Sequence, residues 1–409
     1  MSKPTVLISG AGIAGPALAY WLDRAGYRVV VVEIADGIRP GGQTVDLRGA
    51  GRAVVERMGL LEQMRARCVE QRGIRWVGAD GRCRAEMPVE AFGGNGVVSK
   101  LEILRGDLAD VLYRAAAAGT EYRFGTRITE LAQSDDAVAA TLSDGTTVRA
   151  DLVVGADGPH SAVRRLAFGP EEKFVRPLGG YHAWFTAPDT VVLDGWFLMY
   201  VAPGGLNASM RPSRDPAMAK AGLAFRSEPL RYDRRNLDEQ RELLAARFTG
   251  AGWRSDALVA AAREADDFYF DAFAQVHLGT WSSGRLTLVG DAGYCASPLS
   301  GMGTSLALVG AYVLAGELGP AADLDAGRLA AALDRYHTVM RPYVDRCQNL
   351  PNGIDGYVPK SAFDVRLMIL VMKYVQRWPF RGLAERKWFT TADAINLPDY
   401  PPCAKARRA

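Results

Sequence analysis

Hydrophobic residues along this chain occur mainly as short continuous runs separated by longer segments. The first run, Thr5–Ser9, leads through a glycine turn into a helical segment that ends near Ala25, and a second run, Arg28–Val32, follows directly. Similar runs recur at Leu152–Gly155 and Arg285–Val289. Continuous apolar runs separated by helical segments are typical of strands buried on both faces, so this pattern predicts a parallel sheet covered by helices.

The middle of the chain shows a different pattern. From about Pro170 to Asp271 aromatic residues concentrate, and short apolar runs follow one another before two polar helical segments appear. This order predicts an antiparallel sheet with helices on one face. The predicted strands are Tyr181–Thr186, Trp196–Ala202, Ala208–Arg211 and Leu223–Arg226, and the predicted helices are Leu237–Phe248 and Asp256–Ala265.

Near Phe268 the pattern predicts that the chain returns to the first unit, and it then predicts long helices at Leu329–Asp345 and Ala362–Trp378. We therefore expect two domains that are interleaved in sequence. The expected units are an α/β Rossmann-like domain (1–73 with 98–170 and 268–345), an α+β antiparallel-sheet domain (74–97 and 171–267) and a C-terminal helical segment (346–409).

Composition narrows the class of protein. The 409 residues carry a net charge of +3 with acids and bases interspersed, which does not favour a nucleic-acid or membrane surface. The five cysteines and four histidines are scattered without metal-type spacing, so we expect reduced thiols and no metal site. The first strand begins almost at once and leaves no room for a signal peptide, so we expect a cytoplasmic protein.

The glycine turn after the first strand carries the first chemical signal. Gly10 permits a tight turn, Gly12 lets a pyrophosphate approach the backbone, and Gly15 lets the following helix pack close to the strand. The helix N-terminus, near Ala14, offers unpaired N–H groups to phosphates. Glu33 ends the second strand, where an acid holds a ribose hydroxyl. This pattern predicts a dinucleotide site, and by itself it leaves NAD, NADP and FAD open.

Three later features add to this signal. Asp157 and Asp291 each end a buried strand in a glycine-containing turn, and Arg105 opens a helix. The turn at Asp291 leads to a loop with Gly301 and Gly303, which opens an apolar helix whose N-terminus is able to face an anionic or electron-rich ring. Taken singly, Asp157 is equally well an Asx turn and Arg105 a solvated surface base.

The order of these features resembles that of the class A flavoprotein monooxygenases, the aromatic-hydroxylase group, over residues 1 to roughly 345. The resemblance implies that the first domain is the GR2-type FAD-binding domain and the second the substrate-binding domain. The loop 42–49 and the final helix look most like the tetracycline-inactivating and natural-product tailoring members. The residues implied to bind FAD are Gly10, Gly12, Ala14, Gly15, Glu33, Gln43, Asp46, Arg48, Arg105, Asp157, Asp291, Pro298, Gly301, Met302 and Gly303.

The resemblance also implies a reaction. NADPH or NADH reduces FAD, O₂ adds to form a flavin C4a-hydroperoxide, and one oxygen atom is delivered to an aromatic or polyketide-like small molecule. Three positions near the expected flavin ring depart from the family: Tyr294 stands in place of His, Met302 in place of Gln, and Ser305 in place of Asn. A reductase or dehydrogenase without oxygen transfer, or a flavin-binding protein without activity, therefore remains an alternative.

Substrate contacts are predicted on the antiparallel sheet, one face of which should cover the flavin. The candidates are Trp184, Met199, Arg211 and Phe225, although a core position is the more common place for each aromatic. His182 is a further candidate for a general base, against the alternative of a structural histidine. We expect a monomer or a weak homodimer.

Overall fold

The computed structural model describes residues 3–94, 98–321, 324–375 and 391–401. Its strands are β1 (Thr5–Ser9), β2 (Arg28–Val32), β3 (Thr44–Asp46), β4 (Cys68–Val69), β5 (Gly73–Val77), β6 (Cys83–Pro88), β7 (Glu102–Leu104), β8 (Thr120–Arg123), β9 (Ile128–Gln133), β10 (Val138–Leu142), β11 (Thr147–Ala150), β12 (Leu152–Gly155), β13 (Val175–Pro188), β14 (Trp196–Ala202), β15 (Leu206–Pro212), β16 (Met218–Arg226), β17 (Tyr269–Val276), β18 (Ser282–Ser283) and β19 (Leu286–Leu288).

The helices are α1 (Ala14–Ala25), α2 (Gly49–Arg57), α3 (Leu61–Arg65), α4 (Arg105–Ala116), α5 (Ala162–Phe168), α6 (Leu237–Phe248), α7 (Ser255–Glu264), α8 (Asp291–Tyr294), α9 (Gly303–Leu318), α10 (Ala326–Gln348) and α11 (Ala362–Tyr374). The predicted end of the last helix at Trp378 lies outside the described residues. Within the described part of the chain, no helix combines the length and the apolar character that crossing a bilayer requires.

The predicted parallel sheet is present and has six strands in the order β18-β19-β12-β1-β2-β8. β1 lies at its centre and pairs in parallel with β2 and β12, and β19 and β8 continue the parallel pairing outward. The residues of β1 and β2 are almost wholly buried, except for Arg28 at the start of β2, because helices cover both faces. The three-stranded sheet β11-β10-β9 is a separate antiparallel ribbon.

The second large sheet has seven strands in the order β17-β13-β16-β15-β14-β5-β6. One face packs against α6 and α7, and alternate side chains of β13, β15 and β16 form that core. The other face is turned toward a small sheet, β3-β7-β4. Arg211 of β15 reaches from this face to β3 and donates a hydrogen bond to Thr44 (2.6 Å). This hydrogen bond joins the sheet that carries the predicted substrate contacts to the small sheet that leads into the predicted FAD-binding residue Arg105.

One strand lies elsewhere than predicted. The sequence pattern assigned the segment after Phe268 to the first domain, but β17 pairs with β13 at the edge of the seven-stranded sheet. The physical reason is apolar burial: Phe270 is 7% exposed and packs with Tyr181 and Phe225 in the core beneath α6. The chain returns to the parallel sheet only after β17.

Tyr294 also lies elsewhere than predicted. Its side chain is buried between β19, α9 and α10, where its hydroxyl shares a hydrogen bond with that of Tyr336 (2.9 Å) and its ring packs against Trp281. A Cβ atom at Gly310 of α9 would overlap the Tyr294 hydroxyl. Tyr294 is therefore part of the helix-packing core and Gly310 provides the space for it.

We expect Gly310→Ala to lower the free energy of unfolding by about 1–3 kcal/mol, the usual cost of an overpacked core. The same substitution should cost less in a Tyr294→Phe background, because the overlapping oxygen is then absent. Denaturant unfolding of the four proteins measures this coupling as a double-mutant cycle. Gly37→Ala is the matched control, since a Cβ at Gly37 meets no atom within 4 Å. Equal costs of Gly310→Ala in both backgrounds would contradict this packing.

Candidate functional site

The glycine turn after β1 depends on two close backbone approaches. Gly10 has a φ of 107° and donates its N–H to the carbonyl of Val32 (2.7 Å), and a Cβ there would lie 2.5 Å from the carbonyl oxygen of Ala156. A Cβ at Gly15 would overlap the carbonyl oxygen of Gly10. Both positions therefore exclude any side chain, and α1 begins directly behind the turn.

The surroundings of Gly12 are more open than those of Gly10 and Gly15. A Cβ at Gly12 would meet only the guanidinium of Arg105, at 3.4 Å, and Gly12 has an ordinary backbone conformation. The Glu33 carboxylate lies on the same turn, where its two oxygens accept the N–H groups of Ala11 (2.7 Å) and Ala35 (3.0 Å). The turn thus combines open space beside its backbone, a fixed carboxylate and a guanidinium.

Arg105 is positioned by the loop that follows the second strand. The carbonyl oxygen of Gln43 accepts the Arg105 N–H (3.0 Å), and a Cβ at Gly42 would lie 3.5 Å from that of Arg105. The close approach of this loop to the start of α4 directs the arginine side chain toward Gly12.

Asp291 reaches the same place from the turn that follows β19. A Cβ at Gly290 would lie 3.2 Å from the Cβ of Ala14, and a Cβ at Gly303 would lie 3.9 Å from a carboxylate oxygen of Asp291. Burial raises the pKa of Asp291, and the positive charge of Arg105 opposes this rise. The first turns of α1 and α9, Asp291 and Arg105 therefore converge, although they are far apart in sequence.

The loop before α9 is built as a sharp entry to the helix. Gly301 has a φ of 63°, and Met302 is buried at 4% exposure with its N–H bonded to the hydroxyl of Ser300 (3.1 Å). Pro298 opens the short 3₁₀ turn that precedes Gly301. The N–H groups in the first turn of α9 lack helical partners and carry the positive end of the helix dipole, which favours an anionic or electron-rich group. Ser305, by contrast, donates its hydroxyl to the Arg48 carbonyl (3.4 Å) and ties α9 to α2.

Asp157 has a structural role in the described fold. Its carboxylate accepts the N–H groups of Ala162 (2.9 Å) and Val163 (3.2 Å) and the hydroxyl groups of Ser161 and Ser9. These bonds cap the start of α5 and hold it against β1. A contact of Asp157 with a cofactor stays a prediction.

Arg164 links the turn at Asp157 to the turn at Asp291. Its guanidinium is 1% exposed and donates to the carbonyl oxygens of Ala292 (2.9 Å) and Pro159 (2.5 Å). Because Ala292 directly follows Asp291, this buried arginine fixes the turn that presents the Asp291 carboxylate.

A cluster of four charged side chains lies where the small sheet meets the seven-stranded sheet. Arg48 forms an ion pair with Asp46, and Arg211 lies 3.6 Å from Glu102 and stacks on the ring of Phe197 at 4.0 Å. Burial raises the pKa of Glu102 to about 7, against the lowering effect of the Arg211 charge.

Glu102 was missed by the sequence analysis. The available signal was an acid placed directly before the apolar pair Ile103-Leu104, three residues ahead of Arg105. An acid in a short apolar strand is a candidate for burial with a charged partner.

Three of the four substrate candidates share the face of the seven-stranded sheet that is turned toward the small sheet. Trp184 pairs with Gly222, which pairs with Ser209, which pairs with Met199, so these positions form a row across four strands. Arg211 lies two residues beyond Ser209 on the same face. Side chains at paired positions lie on one face of a sheet, and this row therefore faces the expected flavin side.

The fourth substrate candidate, Phe225, was predicted wrongly, because its side chain does not lie on this face. It is fully buried on the opposite face, where its ring lies 6.3 Å from that of Phe248 of α6 and 5.8 Å from that of Tyr181. The strand alternation is the reason, since Phe225 is an odd number of positions from Gly222.

His182 lies on the same face as Trp184 and is 2% exposed between the rings of Trp184 (4.1 Å) and Phe273 (4.6 Å). Neither ring nitrogen has a hydrogen-bond partner among the described residues. Burial lowers its pKa to about 4, so the imidazole is neutral at physiological pH. This state suits a hydrogen-bonding group or a weak base, and no substrate contact follows from it directly.

A family model described as "FAD binding domain" matches residues 3–349. A flavin-dependent monooxygenase of Legionella longbeachae is 41% identical over 84% of this chain and 86% of its own length. The FAD-dependent monooxygenase asL4 of Sarocladium schorii is 33% identical over 99% of this chain and all of its own. The crystal structure of tetracycline destructase Tet(55) is similar with a TM-score of 0.80 and 35% identity, covering 98% of this chain and 99% of the other.

Gly12→Ala and Gly15→Ala are expected to fail in different ways. The Gly12 methyl group meets only Arg105 in the protein, so unfolding free energy should change by no more than about 0.5 kcal/mol, while FAD retention falls because the methyl occupies the phosphate approach. Gly15→Ala should instead destabilise the fold, because its methyl overlaps backbone. Thermal unfolding without added FAD and the flavin content of the purified proteins separate the two effects. Equal flavin content in Gly12→Ala and the parent would contradict this assignment.

Proposed function

Because this chain belongs to the FAD binding domain family of class A flavoprotein monooxygenases, we propose that it hydroxylates an aromatic or polyketide-like small molecule. Its relatives are flavin-dependent monooxygenases, and this chain has the same activity. The Legionella longbeachae relative is 41% identical over 84% of the chain. The substrate class is the finer part of this proposal. It draws support from the likeness to a tetracycline destructase, which is matched over nearly the whole chain.

The convergence of Gly12, Arg105 and Asp291 is the observation that carries the proposal. A pyrophosphate would fit the bare backbone of Gly12, the Arg105 guanidinium and the N-termini of α1 and α9. The Asp291 carboxylate beside them suits the hydroxyl groups of a ribityl chain. These residues therefore fit FAD. When bound, FAD supplies the chemistry that activates O₂ and delivers one oxygen atom, which none of the twenty side chains provides.

The residues of the sheet face would position the substrate against the flavin. Trp184 and Met199 offer apolar contact, and Arg211 offers the cation that an enolate or phenolate oxygen requires. An oxygen substituent makes the ring electron-rich, and an electron-rich ring reacts readily with an electrophilic oxygen. Holding the ring and excluding water would be the work of this face.

We propose NADPH or NADH as the transient reductant. The sequence contains no second strand–glycine turn–helix fingerprint besides the one at Gly10–Gly15, so we propose no separate nicotinamide-binding domain.

The direct test is to purify the protein, measure FAD absorbance, and follow NAD(P)H and O₂ consumption with tetracycline and simple phenols. Product with one added oxygen atom, identified by mass, is the expected result. Absence of bound flavin after reconstitution would overturn the proposal. Reduced flavin with product formation but without O₂ uptake would indicate a dehydrogenase. Asp291→Ala should lose flavin, whereas Asp238→Ala, an exposed acid on α6, should keep it.

Arg211→Gln is expected to raise KM for an oxygen-rich substrate about 10- to 100-fold, since a hydrogen bond to a charged group contributes roughly 1.5–3 kcal/mol. FAD content should stay at the parental level, because Arg211 lies on the sheet and not at the glycine turn. Arg263→Gln, an exposed arginine of α7 on the far side of the sheet, is the matched control. An unchanged KM would remove Arg211 from the substrate site.

A further inference from the structure

Glu102 is an unusual carboxyl group because it is 1% exposed in the middle of a sheet. It begins β7, the central strand of the small sheet, where it lies opposite Asp46 of β3 on one side and Val69 of β4 on the other. Side chains directly opposite each other in an antiparallel pair have Cβ atoms about 4.5–5.5 Å apart. Two carboxyl groups are therefore held side by side away from water.

Three oxygens of this pair have no donor among the described residues: both carboxyl oxygens of Glu102 and one of Asp46. The other Asp46 oxygen is bound by Arg48. Arg211 gives its nearest N–H to Thr44 (2.6 Å) and stays 3.6 Å from Glu102, which is beyond a hydrogen bond. An unpaired buried carboxylate is costly, whereas one proton between two carboxyl groups would satisfy an oxygen on each.

We propose that Glu102 and Asp46 share a single proton and that this pair is the positioning device for Arg211 at the border between flavin and substrate. The proton bonds to one carboxyl oxygen and is donated to the other, so no oxidation or further reactant is involved. When the proton leaves, Glu102 becomes a carboxylate and holds Arg211 by a full ion pair.

The charges around Glu102 make this exchange possible near neutral pH. Burial and the neighbouring Asp46 carboxylate raise the pKa of Glu102, while Arg211 and Arg48 lower it. Cys68, the nearest titratable group on β4, pairs with Ile103 and not with Glu102, and its thiol stays protonated because burial and the charge of Glu102 both raise its pKa. With the shared proton in place, the two acids and two permanent cations carry a net charge of +1, and loss of that proton makes the cluster neutral.

The consequence for substrate concerns the net charge that Arg211 presents, and it rests on the proposed function. The Arg211 side chain is 26% exposed and so remains partly open on the sheet face. With Glu102 protonated, the charge of Arg211 is available to an anionic enolate or phenolate oxygen. With Glu102 ionised, that charge is already compensated. Binding of an anionic oxygen would therefore favour the protonated form of Glu102.

Infrared spectroscopy tests the shared proton on the FAD-bound protein without substrate or turnover. A carbonyl stretching band of a protonated carboxyl group is expected at pH 6, and it should shift when the protein is labelled with ¹³C-glutamate or ¹³C-aspartate. The band should be lost or shifted in Glu102→Gln and in Asp46→Asn, and unchanged in Glu62→Gln, an exposed acid paired with Arg65. Absence of the band in the parent, or its persistence unchanged in both variants, would overturn the proposal.

The pH dependence of stability gives a second, independent readout. A folded pKa raised from 4.5 to about 7 stabilises the folded state below pH 4.5, and this contribution is lost as pH rises through 7. The unfolding free energy of the parent should therefore fall relative to Glu102→Gln between pH 4.5 and 7. Parallel curves for the two proteins would contradict the titration of Glu102. Because neither measurement needs catalysis, an inactive protein with the band would refute only the proposed function.

Discussion

The close approach of the α1 backbone to the carbonyl of Gly10 is the constraint on which the site depends. It is possible because Gly15 carries no side chain, and it sets α1 directly behind β1. Ala14, at the start of that helix, then lies against Gly290, which brings Asp291 and the N-terminus of α9 to the same turn. Arg105 reaches the turn from the opposite side. A dinucleotide cradle thus follows from backbone contacts that only glycine and alanine allow.

Buried arginine side chains join the parts that this cradle requires. Arg164 binds the carbonyl of Ala292 and holds the turn that carries Asp291, and Asp157 caps the helix from which Arg164 projects. Arg211 joins the seven-stranded sheet to the small sheet through Thr44 and Glu102. Arg164 and Glu102 are buried and Arg211 is partly buried, so removing one partner of these links would leave a polar or charged group without compensation away from water and would destabilise the fold. The turns at Asp157 and Asp291 therefore form one structural unit.

The charged cluster at the sheet border explains how the Arg211 guanidinium is kept in place. Glu102, Asp46, Arg48 and Arg211 come from strands of two different sheets, and their balance of charge depends on one proton. The pKa of about 7 makes this balance sensitive to the charge of whatever binds beside Arg211. Glu102 and Asp46 belong to the small sheet β3-β7-β4, and its strand β7 leads directly into Arg105 of α4.

The sequence alone predicted β1, β2, β12 and β19, the strands β13–β16 with the helices α6 and α7, and the residues of the motifs, because these depend on local periodicity and on glycine at particular positions. Gly10, Gly12, Gly15, Arg105 and Asp291 were all predicted, and the structure brings them together. The tertiary structure decided which face each side chain occupies and which partners it meets. Strand alternation moved Phe225 to the helix side, packing moved Tyr294 into the core, apolar burial joined β17 to the larger sheet, and strand pairing set Glu102 beside Asp46. These outcomes depend on residues distant in sequence, so no local pattern contains them.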